Sequence, residues 1–273
     1  MTTGRARGYA ILASLTLAAP ALGAQSDADT WLAECQHRDW NERPHACRIR
    51  ETGMRPTSGP LTVDPGENGA IAIYGWDRDS IAVVAKIQAE ARSEEDARRL
   101  LDGVRVDAAG STIRASGPET GSRQQWSVSF DVYVPRHTDL ALTTENGPIS
   151  IADVTGTMNL HAQNGPVSLE GVGGDITARV QNGPLTVRLS GTTWDGAGLD
   201  AEAQNGPVDL AIPERYNAQL ETGTVNGPMD VAFPLTVTLR GHVTDRIRTT
   251  LGAGGAPIRV VTTNGPLTIR RAH

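Results

Sequence analysis

Two aspartates in this chain stand where paired carboxylates do chemistry. Asp209 and Asp230 are each the second residue after an Asn-Gly-Pro turn. Paired in register on neighbouring strands, their backbones would lie about 4.8 Å apart. Retaining glycosidases hold their two carboxyl groups about 5–5.5 Å apart. Close carboxylates also split their pKa values or bind Ca²⁺. Glycan cleavage by Asp209 and Asp230 is therefore the enzymatic alternative. A catalytic site needs convergent partners, and the equivalent positions elsewhere hold only Ser150, Ser168, Thr186 and Thr268. The preferred reading is two solvated strand-start acids in a protein that is not an enzyme.

Cys35, His37, His45 and Cys47 form a mirror-symmetric set of the right residue types for zinc. The same two cysteines are the only ones in the chain. In an oxidising compartment such a pair closes a disulfide, worth roughly 2.5–3 kcal/mol in the chain-entropy account. The disulfide is preferred and no metal is expected. Gly171-Val172-Gly173-Gly174-Asp175 resembles a Ca²⁺-binding nonapeptide, but that motif works only as stacked copies and it occurs once. No phosphate loop or dinucleotide fingerprint is present, so no cofactor is expected. Glycan binding wants exposed aromatic rings. Trp194, with Asp195 beside it, is the candidate, and the alternative is a lid folded over the core. Trp76 and Trp126 lie in strand contexts and are expected inside.

The elements that position these residues come from a repeat. Asn-Gly-Pro occurs at Asn146-Gly147, Asn164-Gly165, Asn182-Gly183, Asn205-Gly206, Asn226-Gly227 and Asn264-Gly265, each pair followed by Pro. After each turn apolar and polar residues alternate, as in Val167-Ser168-Leu169 and Leu185-Thr186-Val187. Before each turn the same period of two holds, as in Leu140, Leu142 and Thr144. That is the mark of strands with one buried face. Asn-Gly is a strong hairpin signal, but Pro lacks the N–H that would close a two-residue hairpin. A corner between non-pairing strands has no such need. Each strand then pairs in parallel with its equivalent one repeat along. Stacked corners would let the asparagine amides form a partial ladder. The expected fold is all-β: a right-handed parallel β-solenoid of about six to seven coils, with a mixed N-terminal section carrying one short helix.

Successive turn asparagines are 18, 18, 23, 21 and 38 residues apart. The gap of 23 holds an insertion at Gly191–Gly196, and the gap of 38 an irregular coil or hairpin within Leu235–Gly255. Upstream, strands are expected at Leu61–Val63, Ala70–Tyr74, Ile81–Ile87, Val104–Val106, Thr112–Ala115 and Trp126–Val134. Ser93-Glu94-Glu95-Asp96 has the form of a capping box opening a helix through about Leu101.

Arg5 and Arg7, an apolar run from Ala10 to Gly23, and the small residues Leu22-Gly23-Ala24 read as a signal peptide. The run is too short to span a bilayer. Its removal leaves 23 basic and 31 acidic residues, a net charge of −8. That argues against nucleic acid as a partner. The expected divisions are a leader at 1–24, a cysteine-containing segment at 25–56, an N-terminal β section at 57–138 and the repeat at 139–273.

Tyr74-Gly75-Trp76-Asp77, Val134-Pro135-Arg136, the Asn-Gly-Pro turns, Ser190–Gly196 and Leu251–Gly255 together give a resemblance. The chain resembles the bacterial putative-adhesin β-strand-repeat family over roughly residues 57 to 273. The resemblance implies an exported domain with a right-handed β-helix-like fold and no established activity, cofactor or catalytic residue. The resulting expectation is a non-enzymatic periplasmic or surface module. It would bind an envelope protein or a glycan, serve as a structural piece, or associate with itself.

Overall fold

The computed structural model describes residues 22–37, 43–56, 58–233 and 246–272. The expected leader lies outside them except for Leu22-Gly23-Ala24, and so do residues 235–245 of the expected irregular segment. The chain runs from α1 (Leu22–His37) into β1 (His45–Met54), β2 (Leu61–Asp64), β3 (Ile71–Trp76) and β4 (Ile81–Glu90). Then α2 (Glu94–Gly103) precedes β5 (Arg105–Ala109), β6 (Thr112–Ser116) and β7 (Gln125–Pro135). The repeat supplies β8 (Leu140–Asn146), β9 (Ile149–Ala152), β10 (Thr155–Asn164), β11 (Val167–Glu170), β12 (Gly173–Asn182) and β13 (Leu185–Arg188). It continues through β14 (Gly198–Asn205), β15 (Val208–Ile212), β16 (Ala218–Asn226) and β17 (Met229–Ala232). The last strands are β18 (Arg246–Leu251), β19 (Pro257–Asn264) and β20 (Leu267–Arg271).

Every Asn-Gly-Pro is a corner at which the chain passes from one sheet to another. The strands before the turns lie in a back sheet of order β18-β16-β19-β14-β12-β10-β8-β2-β6-β5. Those after the turns lie in a front sheet of order β1-β4-β7-β3-β9-β11-β13-β15-β20-β17. Between the sheets pack the alternating apolar residues, including Leu142, Leu160 and Ile176 from the back and Ile151, Leu169 and Val187 from the front.

The corners stack because their polar groups satisfy one another. Asn164 Nδ2 donates to Asn146 Oδ1 at 3.1 Å, Asn182 to Asn164 at 3.0 Å and Asn205 to Asn182 at 3.0 Å. The Gly165 N–H donates to the Asn182 carbonyl at 2.9 Å, and its equivalents do likewise. Glycine is required by close approach: a Cβ at Gly165 would run into the Gly147 carbonyl oxygen.

Three features differ from the expectation. First, the sheets are mixed. Their centres are parallel, but β1–β4, β4–β7, β5–β6 and β16–β18 pair antiparallel. These antiparallel strands cover parallel strands that would otherwise end the sheets with unpaired backbone. Second, the described residues hold two helices rather than one. α2 has the expected cap, with Asp96 N–H donating to Ser93 Oγ at 3.1 Å, and it buries Leu100 and Leu101 in the core. α1 packs against β1 and β4. Ala82 and Val84 of β4 are buried although they alternate with the core-facing Ile81, Val83 and Ala85, so α1 covers the outer side of the front sheet. The Cys35–Cys47 disulfide ties α1 to β1, and a ring nitrogen of His45 lies 2.7 Å from the Cys35 carbonyl oxygen. With both sulfurs in that bond, the Cys/His metal alternative has no thiolate to offer.

Third, spatial order departs from sequence order at both ends. β2 and β3 pair directly with β8 and β9, while the later β6 and β7 lie outside them. At the other end β19 and β20, the last strands of the chain, lie between β14–β15 and β16–β17. The asparagine ladder therefore runs from Asn205 to Asn264, at 2.8 Å, and only then to Asn226, also at 2.8 Å.

Candidate functional site

The outer face of the back sheet carries a groove of about 590 Å³ where β18 stands beside the parallel strands. Its floor is one row of side chains in register: Thr177 on β12, Asp200 on β14, Arg259 on β19, Glu221 on β16 and Arg248 on β18. Charge alternates along this row. Arg259 donates to Asp200 at 2.6 Å and to Glu202 at 2.9 Å. Arg248 holds Glu221 with two hydrogen bonds of 3.0 and 3.2 Å. Burial works to raise the Asp200 carboxyl, but hydrogen bonds from Arg179 and Arg259 outweigh it and hold the group below its ordinary pKa. The hydrogen bond from Arg248 does the same for Glu221. Both acids are thus held as carboxylates at neutral pH.

The two aspartates singled out for glycan cleavage do not meet. β20 lies between their strands, and the register runs Asp209, Thr268, Asp230. Two strand spacings put the backbones roughly 9.6 Å apart. Asp209 is moreover engaged by Arg270 Nε at 2.9 and 3.0 Å. The expected adjacency rested on sequence order, which the inserted strand breaks.

Trp194 is not a sugar platform. It is 6% exposed, packs in the core and donates its indole N–H to the Gly174 carbonyl at 2.9 Å. The insertion is a lid, and the carbonyl of exposed Asp195 accepts from the Gly174 N–H at 2.6 Å. The Gly171–Asp175 stretch is a corner of the coil. Among the described residues no three His, Cys, Asp or Glu side chains converge as a metal site.

The surface aromatics lie elsewhere. Tyr74 and Trp76 on β3 and Tyr133 on β7 share the outer face of the front sheet. Tyr74 and Tyr133 are in register, with ring centroids 5.1 Å apart and planes 26° from parallel. Trp76 lies 5.6 Å from Tyr133, and the Arg78 guanidinium sits 4.7 Å above the indole. Trp76 was expected inside. Its parity with Tyr74 puts it outside, half-buried, with its N–H donating to the Ser80 carbonyl at 2.8 Å. Trp126 packs partly against the core. Burial, and then the neighbouring Asp131, push the Tyr133 phenol up to about 12 and raise that of Tyr74 as well. Both phenols are neutral donors across the ordinary pH range. The sequence signal for this cluster was Tyr74-Gly75-Trp76 at a spacing of two; what was missing was the partner strand carrying Tyr133.

No helix among the described residues is long and apolar enough to cross a membrane. Solved structures of similar shape include a "putative cell adhesion protein" from Clostridium sporogenes, 8% identical, covering 83% of this chain and 100% of its own, with a TM-score of 0.41. A "putative adhesin" from Bacteroides fragilis is 12% identical over 82% of this chain and 97% of its own, with a TM-score of 0.31. A "putative lipid binding protein" from Parabacteroides distasonis is 10% identical over 83% and 97%, with a TM-score of 0.26. No curated protein matches the chain. The family model described as Toastrack DUF4097 matches residues 98–270, from α2 to the last strand and well over half of the sequence, and the chain belongs to that family.

Proposed function

We propose that this protein is a non-enzymatic, adhesin-like binding module of the bacterial envelope. In this reading residues 1–24 are a leader removed on export, and 25–56 form a cap tied down by the disulfide. The remainder is a right-handed coil of about six to seven turns, of which 139–273 is the regular part. The mature protein works in the periplasm or at the surface and holds an envelope protein or a glycan. No cofactor takes part.

The observation that carries this reading is the groove on the back sheet. The two acids of its floor row, Asp200 and Glu221, are each neutralised by arginine and held ionised. A general acid needs a pKa raised toward neutrality, and these are driven the other way. A rigid, internally paired surface is suited to holding a partner rather than transforming it. A photo-crosslinking residue placed at Thr177, in tagged protein in intact cells, is expected to capture a discrete envelope component. Glycan hydrolysis by the purified protein that disappears in Asp209→Asn or Asp230→Asn would replace this reading with an enzymatic one.

One observation favours a second reading, self-association. Val225 and Val231, near the β16–β17 end, are 49% and 39% exposed. Sedimentation across a hundredfold concentration range tests it, with a constant molar mass counting against it.

A further inference from the structure

Beside the stacked tyrosines the front sheet has a gap one strand wide. The row across it reads Tyr133 on β7, Tyr74 on β3, Ala152 on β9, Glu170 on β11 and Arg188 on β13. One face of the Tyr74 ring is covered by Tyr133. The other looks over Ala152, the smallest side chain in the row, and Tyr74 is 38% exposed. On the far side of the gap Glu170 and Arg188 face one another at 3.5 Å. That pair also lines a depression of about 390 Å³ together with Asp153 and Ser190.

The dimensions select a flat ring. The β3 and β11 backbones are separated by two strand spacings, roughly 9.6 Å. A ring in contact with Tyr74 lies about 3.5–4 Å from its plane. What remains accommodates one six-membered ring standing over Ala152, one face on Tyr74 and the other toward β11, where the long Glu170 and Arg188 side chains can reach up to its rim. The chemistry selects its class. An aromatic face carries negative charge and attracts the weakly positive hydrogens of C–H groups. A pyranose whose hydroxyls are all equatorial presents a face of axial C–H bonds alone and keeps its hydroxyls at the rim. There a carboxylate accepts from two of them and a guanidinium donates to others. A planar aromatic ligand would use the tyrosine face but leave that rim pair unanswered.

We propose that the slot between Tyr74 and the Glu170–Arg188 pair binds one pyranose unit of a gluco-configured, β-linked glycan. This rests on the binding-module reading and names the ligand class for one face.

The test is calorimetric titration of the purified protein with cellohexaose and with chitohexaose. At least one is expected to bind, with Tyr74→Ala weakening it tenfold or more. Ala152→Leu fills the slot without removing the tyrosine and is expected to do the same, while thermal unfolding of both variants stays within a few degrees of the parent. Tyr74→Phe, which keeps the face, should retain binding. No heat with either sugar at millimolar concentration overturns the proposal, and so does binding that Ala152→Leu leaves unchanged. Either result leaves capture of an envelope protein at the back-sheet groove standing, so the two readings fail separately.

Discussion

The back sheet contains the same strand stacked in two ways. From β8 through β14, neighbours in sequence are neighbours in space, and the ladder rises one repeat at a time. From β14 onward the last strand of the repeat, β19, lies ahead of β16. The turns cannot have chosen between these orders, because every turn presents the same asparagine, glycine and proline. Charge distinguishes them. Asp200, Glu221 and Arg259 each stand five residues before their turn asparagine. Stacked in sequence order, Asp200 and Glu221 would lie side by side, and like charges directly opposite destabilise a sheet. With β19 between them the row reads acid, arginine, acid. The front sheet repeats the lesson, since β20 separates Asp209 from Asp230 and brings Arg270 to Asp209. Burial agrees: Leu267 and Ile269 of β20 are fully buried, whereas Val231 of β17 is 39% exposed. The strand better suited to an interior took the interior place.

The comparison can be broken at several points. Gly165→Ala drives a methyl into the backbone of the adjacent corner, and urea unfolding should show a loss of roughly 2–4 kcal/mol. Leu267→Ala should cost about 2–5 kcal/mol, as a large-to-small change in a packed core. Val231→Ala, on the same face of the outer strand and in register with Ile269, should cost about 0.5 kcal/mol. Equality of these two would mean that β20 is not interior.

Arg259→Glu restores the acid row that the inserted strand avoids. A loss of about 1–2 kcal/mol is expected at low salt, shrinking as salt is added. Insensitivity to salt would remove charge as the cause of the order. Asn182→Ala interrupts the middle of the ladder and should cost about 0.5–1.5 kcal/mol, more than Asn226→Ala at its end.

The smallest effect is in acid. Asp200 has a folded pKa below its unfolded value, so its contribution is present above the unfolded pKa and fades as pH falls through the folded one. Denaturant melts between about pH 4.5 and pH 2 should show a shallower loss of stability in Asp200→Asn than in the parent. Identical slopes would mean that the arginines do not hold this carboxylate.

Some of what the sequence withheld was present but disguised. Asn68-Gly69-Ala70-Ile71 is another corner of the same kind, bridging to Asn146, with alanine in the place of proline. Leu61 and Val63 before it pair with Leu140 and Leu142, which is why the N-terminal section joins the stack rather than merely preceding it. Ala28, Trp31, Leu32 and Cys35 carry the helical spacing that marks α1. The aromatic cluster was not legible in this way, because Tyr74 and Tyr133 are 59 residues apart and meet only when β7 lies beside β3.

What the sequence by itself determined are the features that depend on neighbours along the chain. These are strands of period two, corners that require glycine, a proline that forbids a hairpin, a capped α2 and a cysteine pair close enough to join. What only the tertiary structure decided is which strand stands next to which. That choice separated Asp209 from Asp230, drew Trp194 into the core and left Tyr74 facing Ala152. The physical reason is that identical corners stack equally well in any order. Stacking order is therefore set by long-range differences in charge and burial, which no local pattern contains.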